Sequence, residues 1–312
     1  MKMDLVVKLY NPNLKDISSK AYLTNLRKLN NNEDPKNLNF LKDFESIVAT
    51  LSKYKESTRK NYLNTIIVSL KALKEDDKLI NKYEVLREKY QFNYNEKLQS
   101  NTMSESQSKN FVKWEDFEDM VSLLEKEILP LKKQKTGWSD SETVKYQNWL
   151  IVLLYKHFPI QNDFHDMEII SKQEYNKIKK PTSNYLVTSR PRKMFKISDY
   201  KTSDKYGTKT LVIEDKLLIS AINIWLKHNK TKYFILNPAK LEQPISSNQL
   251  TRLLTGISKE RLDGRSVGST MLRHSYLTHK FGALEEEKEK AADMMGHSKE
   301  MGTGYILKED QD

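Results

Sequence analysis

Tyr185-Leu-Val-Thr-Ser189, Lys193-Met-Phe-Lys-Ile197 and Thr210-Leu-Val-Ile213 are the stretches that decide the fold. Each is short, rich in β-branched and aromatic residues, and set off by Pro, Asp or Gly, which predicts a small antiparallel sheet of hairpins. On either side the apolar residues recur at helical spacing. The expected class is therefore mainly α with a small antiparallel β-hairpin sheet. The second hairpin turn, Tyr200-Lys-Thr-Ser-Asp-Lys-Tyr-Gly207, carries Lys201 and Lys205.

Upstream of these strands the pattern is helical. Ile17, Tyr22, Leu26 and Leu29 share one face, Asp16 or Ser18 is the expected cap, and Asn30 to Pro35 is a break of turn formers. A short helix is expected around Leu41–Leu51. A longer one opens at Lys55-Glu-Ser-Thr-Arg-Lys, with Ser57 or Thr58 as its cap and Tyr62, Ile66, Leu70 and Leu73 on its buried side. A further helix falls near Leu79–Phe92. Residues 96–110 are polar and poor in core formers and read as a linker, which divides the chain into a helical domain over 1–95 and a second domain over 111–312. In the second domain helices are expected at Trp114–Leu129 and Thr143–His157, with Pro130 in the loop between them. More follow at Lys216–His228, Ser247–Gly256, Ser269–Phe281 and Leu284–Met295.

With 312 residues, 38% of them hydrophobic and 30% charged, the chain can bury a sizeable core. No apolar run approaches the roughly 20 residues of a membrane helix, and no secretion signal opens it, so an intracellular location and no membrane partner are expected. The absence of cysteine excludes disulfides and thiolate metal sites. No Asp/Glu/His group has ligand spacing and no phosphate-binding Gly-x-x-x-x-Gly-Lys-Ser/Thr is present, so neither metal nor nucleotide cofactor is expected. The net charge of +11 and pI of about 9.3 point to a polyanionic partner. Much of that charge is local: Lys172 to Lys209 holds 11 Lys or Arg against 3 Asp or Glu.

The chemistry-bearing residues cluster towards the C-terminus. Arg273, in Leu272-Arg-His-Ser-Tyr-Leu-Thr-His279, has the planar fork suited to bidentate phosphate recognition, although alone it also fits the surface of an amphipathic helix. Tyr305 offers a phenol that cations could activate as a nucleophile, and packing is its ordinary use. His297, in Met294-Met-Gly-His-Ser298, could donate to a phosphoryl oxygen or cap a helix end. Lys201 on its hairpin turn could reach an adjacent groove and act as a general acid, where a solvated lysine is the commoner case.

Taken in order, these residues resemble the tyrosine recombinases of the phage-integrase type, most closely those of large DNA viruses and virophages. The likeness rests on Leu272–His279, Met294–Ser298, Tyr305, the lysine turn Asp199–Gly207, the segment Leu153-Leu-Tyr-Lys-His-Phe-Pro-Ile-Gln-Asn-Asp-Phe164, and Ser57-Thr-Arg-Lys-Asn-Tyr-Leu63 in a core-binding-type domain. The resemblance implies a two-domain enzyme that closes as a C-shaped clamp on double-stranded DNA, monomeric when free and tetrameric on two DNA sites. Tyr305 would form a 3′-phosphotyrosyl link, Arg273 would clamp the scissile phosphate, His297 would fill the later histidine position, and Lys201 would protonate the leaving 5′-oxygen. Two positions depart from the pattern: Gln161 stands where the first arginine belongs and Thr270 where the first histidine does. Arg59, Lys60, Arg190, Arg192, Lys193 and Lys205 are expected on DNA. Two alternatives stand beside recombination: a recombinase-derived DNA-binding protein impaired in catalysis by Gln161, and a type IB topoisomerase.

Overall fold

The computed structural model describes residues 16–99, 102–134, 137–189 and 192–297. The chain forms two compact units that part between Met103 and Ser104.

The first unit is helical: α1 (Asp16–Leu29), a 3-10 turn at Asn39–Lys42, α2 (Phe44–Ser52), α3 (Glu56–Ala72) and α4 (Asp77–Gln99). Asp43 caps α2 by accepting from the Ser46 backbone N–H. The start of α3 differs from expectation. Lys55 takes the cap position without a side-chain bond, and Ser57 and Thr58 fall inside the first turn. The buried faces are those expected, with Leu26, Leu29, Tyr62, Ile66 and Leu70 in one core, joined by Leu41, Ile47 and Tyr83. Tyr83 also donates from its hydroxyl to the Leu41 carbonyl at 2.8 Å, so its one polar atom is satisfied inside that core. Helix α4 extends into the stretch expected to be a linker, and α5 (Glu105–Asn110) occupies more of it. Ser104 and Gln107 start α5 with a reciprocal capping box.

The second unit is built around α7 (Asp140–His157). Every residue from Trp149 to Tyr155 is buried, the signature of a helix apolar on all sides. Its start is a capping box between Ser139 and Glu142. Three helices pack around it: α6 (Trp114–Lys133), and, further along the chain, α10 (Lys216–His228) and α11 (Ser247–Arg261). Helix α6 runs through Pro130 rather than stopping before it, because Ile128 and Leu131 on either side are both buried in the core. The last helix among the described residues, α12, spans Ser269–Met295 as one element where two were expected. Gly282 lies within it with ordinary backbone geometry, and Thr278 is its nearest neighbour at 3.6 Å.

Between these helices lies a four-stranded sheet in the order β1 (Glu168–Ser171), β2 (Tyr185–Thr188), β3 (Lys193–Ile197), β4 (Lys209–Ile213), with α8 (Lys172–Lys177) following β1 and a one-turn α9 (Ser203–Tyr206) inside the β3–β4 loop. The expected antiparallel sheet is here a mixed one. β2, β3 and β4 form the antiparallel hairpins, but β1 joins β2 in parallel, pairing Glu168 with Tyr185 through Ser171 with Thr188. A second sheet pairs β5 (Leu236–Asn237) with β6 (Lys240–Pro244). The inward face of the larger sheet presents Phe195, whose ring meets those of Phe158, Phe164 and Phe234 at 5.3–5.7 Å between centroids.

A buried side chain ties α7 to β5. Gln147, fully buried, accepts from the Leu236 N–H at 2.7 Å and donates to the Leu236 carbonyl at 2.9 Å, supplying both bonds a neighbouring strand would have made. Gln147→Leu strands both backbone groups in the core. Each such orphan costs about 1–3 kcal/mol, so the second unit should lose about 2–6 kcal/mol, seen as a lower urea midpoint in a denaturation titration.

Candidate active site

The polypeptide leaves α7 through a loop held tightly to its neighbours. The Phe158 N–H bonds back to Leu154 at 2.7 Å, and Pro159 has no N–H with which to prolong the helix. Tyr155, buried beneath, shares its hydroxyl proton between the Gln161 carbonyl and the Asn162 side chain, each at 3.2 Å. Burial, reinforced by the nearby Asp163 carboxylate, pushes the Tyr155 phenol upward, with Arg273 opposing, so it stays protonated and remains a donor. Asn162 in turn donates to Thr251 Oγ1 at 2.6 Å and to the Ser247 carbonyl at 3.0 Å, fixing the loop to α11. Gln161 thus sits on a loop whose backbone is held from below.

Asn184, immediately before β2 and almost wholly buried, joins this loop to the lysine turn. Its amide nitrogen donates to the carbonyls of Asp163 and Asp199, both at 3.0 Å. Its amide oxygen accepts from the N–H groups of Ser198 and Asp199 at 2.9 and 2.8 Å. The turn itself is braced from within. Tyr200 donates from its hydroxyl to the Gly207 carbonyl at 2.8 Å, and Gly207 closes α9 at φ +66°, a left-handed conformation that favours glycine. Arg273 arrives from α12, where Leu272 and Ser275 are buried against the core. One of its terminal nitrogens donates to Thr270 Oγ1 at the long distance of 3.5 Å. Its Nε is buried and has no hydrogen-bond partner among the described residues.

These three segments wall a cavity of about 340 Å³, lined by Pro159, Ile160, Gln161, Asp163, Ile197, Tyr200, Lys201, Thr202, Lys209, Leu211 and Arg273. Gln161, Lys201 and Arg273, expected together from the sequence, therefore meet. Thr270 is exposed one turn from Arg273 and is not part of the lining. His297 lies just past α12, beyond the left-handed Gly296, with its N–H on the Ala292 carbonyl at 3.1 Å; it does not line the cavity either. Tyr305 and Arg190 lie outside the described residues.

Of the residues expected on DNA, Arg192 and Lys205 are exposed in the second unit, and Lys205 lies 5.1 Å from the Tyr206 ring. Lys193 lines a separate, shallower hollow with Thr188, Ser189 and Asn223. In the first unit Arg59 has its donors engaged, on the carbonyls of Tyr54 and Ser52 at 2.6 and 2.7 Å and on the Tyr90 hydroxyl at 3.3 Å. Its guanidinium thus holds the C-terminal end of α2 against α3 and α4. Lys60 sits 4.0 Å above the Tyr94 ring. Among the described residues no three His, Asp or Glu side chains come together as metal ligands, and no helix is long and apolar enough to cross a membrane.

The lining also contains residues that the sequence did not single out: Asp163, Tyr200 and Lys209. Lys209 and Leu211 are two apart on β4, so the period of a strand would have put both on one face. Asp163 is only two residues beyond Gln161. Burial raises the Asp163 carboxyl above the ordinary aspartate range, and Asp199 adds to the shift, while His165, Lys209 and Arg273 oppose it.

No protein-family model matches the chain, and no curated protein does. Among solved structures it is similar to the crystal structure of XerA recombinase. Identity is 10%, over 98% of this chain and 94% of that one, at a TM-score of 0.34. A likeness at that level carries no argument, and the chemistry rests on the residues of the cavity.

The raised Asp163 carboxyl gives a test of the local electrostatics. A carboxyl whose folded pKa is raised binds its proton more tightly in the native state. Its contribution favours the fold at low pH and is lost as pH rises through the folded value. Asp163→Asn is therefore expected to melt above the wild type at pH 7, with the difference closing as pH falls below the usual aspartate range, measured by thermal unfolding across a pH series.

Proposed function

We propose that this chain breaks and rejoins DNA strands by transferring a phosphodiester to Tyr305. The observation that carries this reading is the convergence of Gln161, Lys201 and Arg273, from three separate segments, on one cavity of a size to take a phosphodiester. The unpartnered buried Nε of Arg273 supports it, being a donor for which a phosphoryl oxygen is a fitting acceptor.

In this scheme the scissile phosphate enters the cavity with its non-bridging oxygens towards Arg273. The Tyr305 oxygen attacks phosphorus as its proton leaves to water, and the bond to the 5′-oxygen breaks. The Lys201 ammonium gives that oxygen its proton, leaving a 5′-hydroxyl and a 3′-phosphotyrosyl link. Ligation runs the same steps in reverse with the 5′-hydroxyl of a partner strand. The bond energy is kept in the phosphotyrosine, so no nucleotide is required. His297 serves as a further donor to the phosphoryl group. Exchange between two duplexes takes four copies on DNA, and the free chain is a monomer. Arg192, Lys193 and Lys205 contact the DNA backbone of intracellular duplexes.

Gln161 favours one competing reading. A neutral amide in this cavity brings no charge to the phosphate, and a chain that binds duplex DNA without cutting it would look the same there. A nicked suicide duplex separates the two. Strand cleavage predicts a covalent adduct that disappears in Tyr305→Phe and that forms much more slowly in Lys201→Ala at little cost in DNA affinity. Binding alone predicts no adduct from the wild type and one from Gln161→Arg. In either case duplex affinity should fall steeply with added salt, read from fluorescence anisotropy titrations, and a flat response would remove DNA as the partner.

A further inference from the structure

We propose that Lys209 supplies the second positive charge on the bound phosphate, in place of the one that Gln161 does not bring. This assignment rests on the strand-cleavage reading for its chemistry, and on the cavity alone for the anion site. Lys209 opens β4, directly opposite Ile197 of β3. Residues paired across two strands share a face of the sheet, and the face concerned is the inward one, since Ile197 and its neighbour two along, Phe195, are both buried. The other face is occupied by Lys196 and Thr210, which bond to each other at 2.8 Å. Lys209, itself solvent-exposed, is thus a cation at the open end of the sheet's apolar side, where that side meets the cavity, with Leu211 beside it.

Its surroundings are those of an anion ligand. The Tyr200 ring lies 4.1 Å from the ammonium and steadies a cation without neutralising it. Among the described residues no carboxylate lies within ion-pairing distance of Lys201, Lys209 or Arg273, although all three line the same cavity. Asp163, the acid in the lining, feels both Lys209 and Arg273 but pairs with neither. A phosphodiester carries one negative charge, and the pentacoordinate transition state concentrates a second. Three cations and one half-buried carboxyl suit that better than the Arg273 and Lys201 pair alone. The placements differ in kind. Lys201 is on a loop, suited to following a leaving oxygen, whereas Lys209 is held by strand register and suited to a fixed contact.

The test compares Lys209→Ala and the longer, uncharged Lys209→Gln with the wild type, after thermal melting has shown that they fold. Single-turnover formation of the Tyr305 adduct on a nicked duplex should fall about 10²-fold, as for loss of a preorganised transition-state donor, with duplex affinity changed little. Lys209→Arg should retain most of the rate. Adding Gln161→Arg to Lys209→Ala should recover at least about tenfold, a larger gain than Gln161→Arg produces in the wild type, since two arginine-like contacts then overlap. A wild-type rate in Lys209→Ala, with Arg273→Ala crippled, overturns the assignment and leaves the cleavage reading intact. If the wild type forms no adduct, the cleavage reading fails instead. Inorganic phosphate titrated against both proteins by ³¹P NMR then decides Lys209 alone: weaker binding by the variant sustains the anion site, and equal binding removes it.

Discussion

The four hydrogen bonds of Asn184 are the constraint on which the cavity depends. Without them the loop after α7 and the turn after β3 would be two independent surface segments. The amide of one side chain satisfies two carbonyls and two N–H groups, and in doing so makes the two loops one wall. Buried polar groups of this kind stabilise only when every donor and acceptor is matched, and here all are. The same logic recurs at Gln147, where an amide completes β5, and at Tyr155, whose hydroxyl holds the Gln161 loop from beneath. Side-chain to backbone bonds thus join the loops of the second unit that wall the cavity.

A division of labour follows among the cations. Arg273 comes from a long helix anchored by Leu272, Lys209 from strand register, and Lys201 from a braced loop. Two are held on regular secondary structure and one on a turn, the arrangement that chemistry at a phosphate calls for if one group must give up a proton while the others stay put.

How much of this was legible in the sequence depends on the range of the forces involved. The three strands were readable, because alternation and turn residues are local signals, and so were the buried faces of α1 and α3. The parallel strand β1 was not. Glu168-Ile-Ile-Ser171 is four residues long, and its partners, Tyr185 to Thr188 of β2 and a separate bridge to Tyr233, lie beyond the strand's own local pattern. The stop expected at Pro130 failed because Ile128 and Leu131 on either side of it are packed in the core, whereas α12 runs on through Gly282 with Leu277, Phe281 and Leu284 around it exposed. At the cavity, Lys201 and Arg273 were named from residue type and order along the chain, and Gln161 from the family resemblance. Lys209 was missed because its role depends on which side of a sheet it faces, and that needs the register with Ile197.

The buried Nε of Arg273 has a consequence for the protein when nothing is bound. A donor removed from water with no acceptor raises the energy of the native state, by about 1–3 kcal/mol for a typical orphan. An apolar residue in its place would relieve that strain, so the resting fold is less stable than its own sequence neighbours could make it. On the function proposed for it, Arg273 trades stability for readiness to bind, and a search for thermostable variants of this chain would be drawn to that position early.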